Sequence, residues 1–158
     1  MQAKKIRGPE MGKQNGSDCA KDTIGTIYYL SPDGSDENPG TKEKPWATLN
    51  HASEQAQAGD TVILRPGSYE GTLCPKYDGT AEAPITFISE VRRGAVLIGE
   101  MERYAVDVEE RHYLHFCGFV MRPTERRGGW MRINRSSHIV IDDVLMEEAI
   151  GRPFVINE

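Results

Sequence analysis

The chain has no basic excess, no long apolar run and no cysteine framework, and each shortage closes off a class of function. Nineteen Lys and Arg stand against 24 Asp and Glu, a formal net charge of −5. Binding nucleic acid by neutralising phosphates needs a basic face, so no nucleic-acid partner is expected and any polyanion would have to meet a local patch. An apolar run of about 18 residues, the length that spans a bilayer, is nowhere present, so no membrane insertion is expected. Cys19, Cys74 and Cys117 are an odd number at irregular spacing, which fits neither paired bridges nor a CxxC metal site; they are expected to stay reduced. His51, His112, His115 and His138 lack zinc spacing, and GSDENPG lacks the phosphate-loop patterns. Ser136 and Ser137 beside His138 suggest no nucleophile elbow.

The first 22 residues are polar and carry glycine, without the apolar middle of a secretory leader. They are expected to be a disordered segment, leaving 23–158 as the folded domain. Sixteen glycines and nine prolines imply many turns and few helices. Thr26 to Leu30 is a β-rich run ended by Ser31-Pro32-Asp33-Gly34, and Pro39-Gly40 and Pro45 keep the segment up to Trp46 a loop. From Thr48 the period changes. Thr48 caps a helix over 48–58 whose Leu49, Ala52 and Ala56 share a face, and Gly59 stops it. A stripe of small residues suits a lid on the open end of a coil of strands, covering its unpaired edges.

Beyond the helix, apolar residues two apart recur: Val62 and Leu64, Ile85 and Phe87, Leu114 and Phe116, Ile139 and Ile141. Their first members are separated by 23, 29 and 25 residues. YLHFCGFVM at 113–121 aligns with HIVIDDVLM at 138–146. A second series keeps the same beat, Met131 and Ile133 being echoed 23 residues later by Phe154 and Ile156. Such spacing predicts an all-β solenoid in which each strand pairs with the strand one turn away, inward residues stacking as columns. By parity Leu114, Phe116, Ile139 and Ile141 point in, while His115, Cys117, Val140 and Asp142 point out. Val62, Ile85, Leu114 and Ile139 are expected to form one column. A β-sandwich with short strands would show the same turn-rich composition.

Tyr28–Gly40, the helix, Gly59-Asp60-Thr61-Val62 and Arg65-Pro66-Gly67-Ser68-Tyr69 resemble the start of right-handed parallel β-helix proteins of the polysaccharide lyase type. The resemblance covers 26–100 best, through AGDTVILRPGSY, TAEAPITFISE and GAVLIGE, and 111–158 as generic rungs. It implies a right-handed parallel β-helix with one N-terminal capping α-helix and a polysaccharide substrate, cleaved in the lyases by β-elimination next to a uronate carboxylate. Non-catalytic surface or binding proteins and glycoside hydrolases share the scaffold. The resemblance further implies an extracellular or periplasmic protein and a shallow groove on an outer strand face. A Lys or Arg base is implied there, with calcium (Ca2+) or an arginine neutralising the carboxylate. Those groups come from middle rungs, so no catalytic residue is carried over. The chain stops inside the run PFVINE and is expected to be the first rungs of a longer protein, inactive alone.

Between Val91 and Arg135 stand nine arginines, no lysine and six acids. Within this positive segment Arg122, Arg126, Arg127, Arg132 and Arg135 are the substrate-binding candidates, since guanidinium pairs with carboxylate in two parallel hydrogen bonds. Trp130 joins them as a platform for a sugar ring. The plain alternative is an exposed loop with Trp130 packed on a neighbouring turn. Asp142 and Asp143, with Glu147 and Glu148 close by, are the candidate calcium ligands against a solvated acidic edge. Asp33, Asp36 and Asn38 suit turn chemistry better than a metal.

Overall fold

The computed structural model describes residues 24–99, 104–122, 129–147 and 154–157; the expectation of disorder over 1–22 lies outside them. In chain order the elements are β1 (Ile27–Leu30), α1 (Leu49–Gln55), β2 (Thr61–Leu64), β3 (Gly67–Glu70), β4 (Ile85–Ser89), β5 (Ala95–Ile98) and β6 (Tyr104–Glu109). There follow β7 (His112–Cys117), β8 (Val120–Arg122), β9 (Gly129–Asn134), β10 (Ser137–Asp142), β11 (Leu145–Met146) and β12 (Phe154–Asn157). A first sheet runs β1-β2-β4-β7-β10, a second β11-β8-β5-β3 and a third β12-β9-β6. Every pairing between these strands is parallel. From β4 onward the chain visits the three sheets in turn and comes back one strand further along each, which is a parallel β-solenoid and not a sandwich of antiparallel sheets.

Register follows the repeat. β10 lies on β7 and β11 on β8 at an offset of 25, as the two aligned nonapeptides require, and β12 lies on β9 with Ile156 opposite Ile133. One expected column is corrected. Val62 stands opposite Phe87, so the inner columns are Val62–Phe87–Phe116–Ile141 and Ile85–Leu114–Ile139. Counting from the first apolar residue of each run misplaces β2 by two positions, because β2 reaches its inward face two residues later in the register than β4. Slippage by two preserves every inward residue, so parity alone could not detect it. Phe87, Phe116 and Leu114 are fully buried, with the Phe87 and Phe116 rings stacked at 5.7 Å and 10°.

Corners repeat as strictly as strands. Arg93, Gly118 and Asp143 all have positive φ, at 57°, 71° and 50°, where the chain turns from the first sheet to the second. Glu110 and Arg135, at 51° and 46°, do the same between the third and the first. Only glycine occupies this left-handed region without cost, and Asp and Asn tolerate it better than most. A Cβ at Gly118 would meet nothing nearer than Ser89 at 3.9 Å, so backbone strain alone decides its substitution. Gly118→Ala is expected to cost about 1 kcal/mol in chemical denaturation and Gly118→Asn roughly half of that.

The helix starts where expected but ends sooner. Thr48 accepts the backbone N–H of His51 through its hydroxyl, whereas Ala56 is already extended at φ −66°, ψ 126°. Asp60 explains the early stop: its Oδ2 accepts the N–H of Gln57 and its Oδ1 that of Thr26, which fixes the exit to β2 and the entry to β1 together. Leu49, Ala52 and Ala56 are buried in the same cluster as Leu30 and Trp46, so the small-residue face does close the start of the coil. Asp36 ties the loop to this lid, its carboxylate accepting the N–H groups of Ala47 and Thr48 and the Thr48 hydroxyl. Burial alone would raise the Asp36 pKa, but those hydrogen bonds outweigh it and hold the carboxyl below its ordinary value. Turn chemistry, then, is what this acidic loop uses. The cysteine expectation needs correction: Cys117 is disulfide-bonded, while Cys74 is a free thiol.

Candidate functional site

On the third sheet, alternation turns Val106, Val108, Met131 and Ile133 into the core and leaves Asp107, Glu109, Arg132 and Asn134 on the outer side. Because β6 and β9 pair at an offset of 25, Asp107 faces Arg132 and Glu109 faces Asn134. The result is a bidentate pair across the rung. Arg132 donates from Nε to Asp107 Oδ1 and from Nη2 to Oδ2, both at 2.7 Å, and Nη2 also reaches Glu109 Oε2 at 3.3 Å. The guanidinium carbon lies 5.8 Å from the centre of the Tyr104 ring. Asn134 Nδ2 donates to Glu109 Oε1 at 3.1 Å.

Beside this ladder runs an open groove of about 740 Å³, whose walls include Asn50 of α1, Glu70 at the end of β3, Lys76, Tyr104, Asp107 and Arg132. Both signs of charge and an aromatic edge meet there. Cys74 lies in the same wall, with Lys76 Nζ 3.6 Å from its sulfur. A groove of this kind on an outer strand face accepts an extended polar chain, with N–H donors for carboxylates and hydroxyls and a ring edge for a sugar face.

Among the described residues, Arg132 alone of the six substrate-binding candidates lines the groove. Arg122 is ion-paired to Glu147 at 2.6 Å, and Arg135 to Glu109 at 3.4 Å and Glu110 at 2.9 Å. The arginine beside it holds Glu147 below the usual carboxylate range. Trp130 is half-buried against the core, and its buried Nε1 meets no hydrogen-bond partner among the described residues. Arg126 and Arg127 lie outside the described residues. Among the described residues Arg122, Arg132 and Arg135 are each paired with an acid one rung away, which distance along the sequence hides and the offset of 25 reveals. Tyr104, Asp107, Lys76, Glu70 and Asn50 went unnoticed in the sequence. Asp107 could have been found, since it precedes Arg132 by one repeat.

Of the two calcium candidates, Asp143 is held by arginine. Asp143, at its left-handed corner, accepts Arg92 Nε at 2.5 Å, Arg92 Nη2 at 2.8 Å and Arg93 Nη2 at 2.9 Å. The Arg92 hydrogen bond comes first in holding its carboxyl below the ordinary value, with Arg93 adding to it. Asp142 precedes it on β10 opposite Cys117, and Glu148 lies outside the described residues. No three His, Cys, Asp or Glu side chains converge among the described residues. Two guanidiniums on one carboxylate oppose a divalent cation by like charge, so this donor set does not fit calcium. No described helix is long and apolar enough to cross a membrane.

The family model described as Pel9A-like, right handed beta helix region matches residues 28–158. The uncharacterized protein YwoF of Bacillus subtilis (strain 168) is 38% identical over 131 residues, which is 75% of this chain and 28% of that protein. Pectate lyase PEL9 of Emericella nidulans is 38% identical over 74 residues, 46% of this chain and 18% of that one. Among solved structures, the GH136 lacto-N-biosidase of Eubacterium ramulus superposes with a TM-score of 0.64 at 18% identity, over 77% of this chain and 27% of its own. At that identity the likeness is one of fold. The chain spans less than a third of the length of each of these three proteins.

Proposed function

The chain belongs to the Pel9A-like right-handed β-helix family, a carbohydrate-active group with lyase and glycoside hydrolase neighbours, and from that premise we propose that it forms the first coils of a polysaccharide lyase acting on a uronate polymer. The observation that carries this reading is the family match over 28–158, with a pectate lyase among the relatives. In β-elimination a base takes the proton beside the uronate carboxyl, the electron pair forms a carbon–carbon double bond, and the glycosidic oxygen departs with a proton. Charge builds on the carboxylate as the proton leaves, so a guanidinium aimed at it acts where stabilisation counts. The role assigned to this region is to hold the polymer. Arg132 receives a carboxylate at the groove and Tyr104 offers its ring edge. Chemistry itself is assigned to later coils.

The test is to incubate the whole protein that contains this region with pectate, alginate and chondroitin, and to follow the ultraviolet absorbance of the unsaturated product. Rising absorbance on one of these polymers is expected. New reducing ends without absorbance would replace elimination by hydrolysis, and neither signal on any polymer would leave a binding solenoid in its place. In the active protein, Arg132→Ala is expected to lower kcat/KM by roughly 10–100-fold, the worth of a lost charge-assisted contact. The melting temperature should change little, since a partly exposed pair contributes about 1 kcal/mol or less.

A further inference from the structure

A partial rung precedes β6 on the third sheet. The Leu73 N–H donates to the Ala105 carbonyl and the Leu73 carbonyl accepts the Asp107 N–H, both at 2.9 Å, which makes a parallel bridge to Val106. Leu73 is buried like Val106, so alternation turns Cys74 outward, beside Asp107 and in line with Arg132. The other side of this short strap is pinned to the lid helix. Ser53, 1% exposed, donates its hydroxyl to the Leu49 carbonyl at 2.7 Å and accepts the Cys74 N–H at 2.9 Å, while its own carbonyl accepts the Lys76 N–H at 3.1 Å. Residues 73–76 are thus held between α1 and β6, and Lys76 leaves them at a fixed point of the groove wall.

Lys76 and Arg132 both line the groove, and their charges are in different states. Arg132 has Nε and Nη2 committed to Asp107 and Nη2 again to Glu109, which leaves Nη1. Lys76 has no carboxylate partner among the described residues. Its exposed ammonium meets the Cys74 sulfur at 3.6 Å, and a thiol is a weak acceptor. An ammonium with a full charge and donors to spare is a receptor for a carboxylate. We propose that Lys76 is a second carboxylate receiver of this groove, taking a different uronate residue of the same polymer from the one on Arg132. Register sets the spacing: Cys74 stands two strands from Arg132 in the outer column, about 10 Å away, with Asp107 between them. A polymer held at both points runs along the coil axis, across the strands. Asp107 is neutralised by Arg132 and opposes the ligand little, and Glu70 in the same wall accepts sugar hydroxyls. The site rests on the reading of this groove as the place where the polymer is held.

Cys74 is a free thiol and reports on the site directly, because a carboxylate on Lys76 lies against it. In the whole protein that contains this region, the rate at which iodoacetamide alkylates Cys74 is followed by mass spectrometry, alone and with tetragalacturonate, tetramannuronate or the neutral methyl ester of the first. One of the two acidic oligomers is expected to slow the reaction several-fold, and the ester to leave it unchanged. Lys76→Gln is expected to abolish the protection and to weaken binding of that oligomer in calorimetry roughly tenfold, the worth of one charge-assisted contact. Lys76→Arg is expected to keep both, which a merely structural lysine would not require. An acidic oligomer that binds without protecting Cys74, or that binds Lys76→Gln as tightly as the parent, would overturn the site while leaving the lyase reading intact. Protection of Cys74 in a protein that forms no unsaturated product on any uronate polymer would keep the site and remove the lyase. Failure of both acidic oligomers to bind would overturn the site as well.

Discussion

Phe116→Ala is expected to destabilise the chain by about 3–5 kcal/mol, lowering the melting temperature by roughly 10–15 °C. Phe116 is fully buried midway along an inner column, with Phe87 below it and Ile141 above. Its ring stacks on Phe87 at 5.7 Å and meets Phe119 edge-on at 6.5 Å and 82°. Truncation removes transfer energy, leaves a cavity between two rungs that hydrogen-bonded strands cannot close, and ends both ring contacts. Val140→Ala, one strand on and facing outward, is the control; it should stay within about 0.5 kcal/mol. Thermal denaturation of both variants checks the contrast. Equal effects would mean that the inward and outward faces are misassigned.

The second large effect belongs to Gly34→Ala. A Cβ built there would stand 2.1 Å from the Trp46 carbonyl oxygen, 2.6 Å from its carbon and 2.7 Å from the Pro45 oxygen. These are backbone atoms, so no rotamer relieves the clash. The same Trp46 carbonyl accepts the Ser31 N–H, and the Trp46 N–H donates to Tyr29. Moving this strand away costs the parallel bridge of Leu30 to Trp46 and disturbs the stack of Tyr28 on Trp46 at 4.3 Å. A loss of about 3 kcal/mol or more is expected, the sum of two or three backbone bonds and a buried aromatic contact. It should appear as a lower melting temperature with a red-shifted tryptophan emission. An unchanged emission would mean that the loop is packed elsewhere.

Much of this architecture could be read before any coordinates, because a solenoid writes its geometry into a repeat. The offset of 25 set the pairing of β7 with β10 and of β8 with β11, and alternation assigned faces correctly at Leu114, His115, Phe116 and Cys117. What escaped was information that alternation does not carry. A two-residue slip of Val62 against Phe87 leaves parity intact, and the third sheet was visible only as a second series at Met131 and Phe154. The helix was expected to run to Ala58, as its apolar stripe allows; it stops at Gln55 because Asp60, from the following turn, binds the backbone there. At the candidate site, arginine content suggested free cations for carboxylates. Cross-rung pairing matches Arg132 with Asp107 and Arg135 with Glu109, so the surface is a ladder of alternating charge and not a positive patch. Irregular cysteine spacing points to reduced thiols, and nothing in it announces that Cys117 is bonded.

All of these assignments rest on successive coils lying in parallel at a fixed offset. The most direct test is a nuclear Overhauser spectrum of the isotope-labelled chain, read between β7 and β10. Parallel stacking predicts amide and Hα cross-peaks linking Leu114 with Ile139 and Phe116 with Ile141, neighbours at the offset of 25. Close Hα–Hα pairs of an antiparallel ladder, or contacts at any other offset, would contradict it.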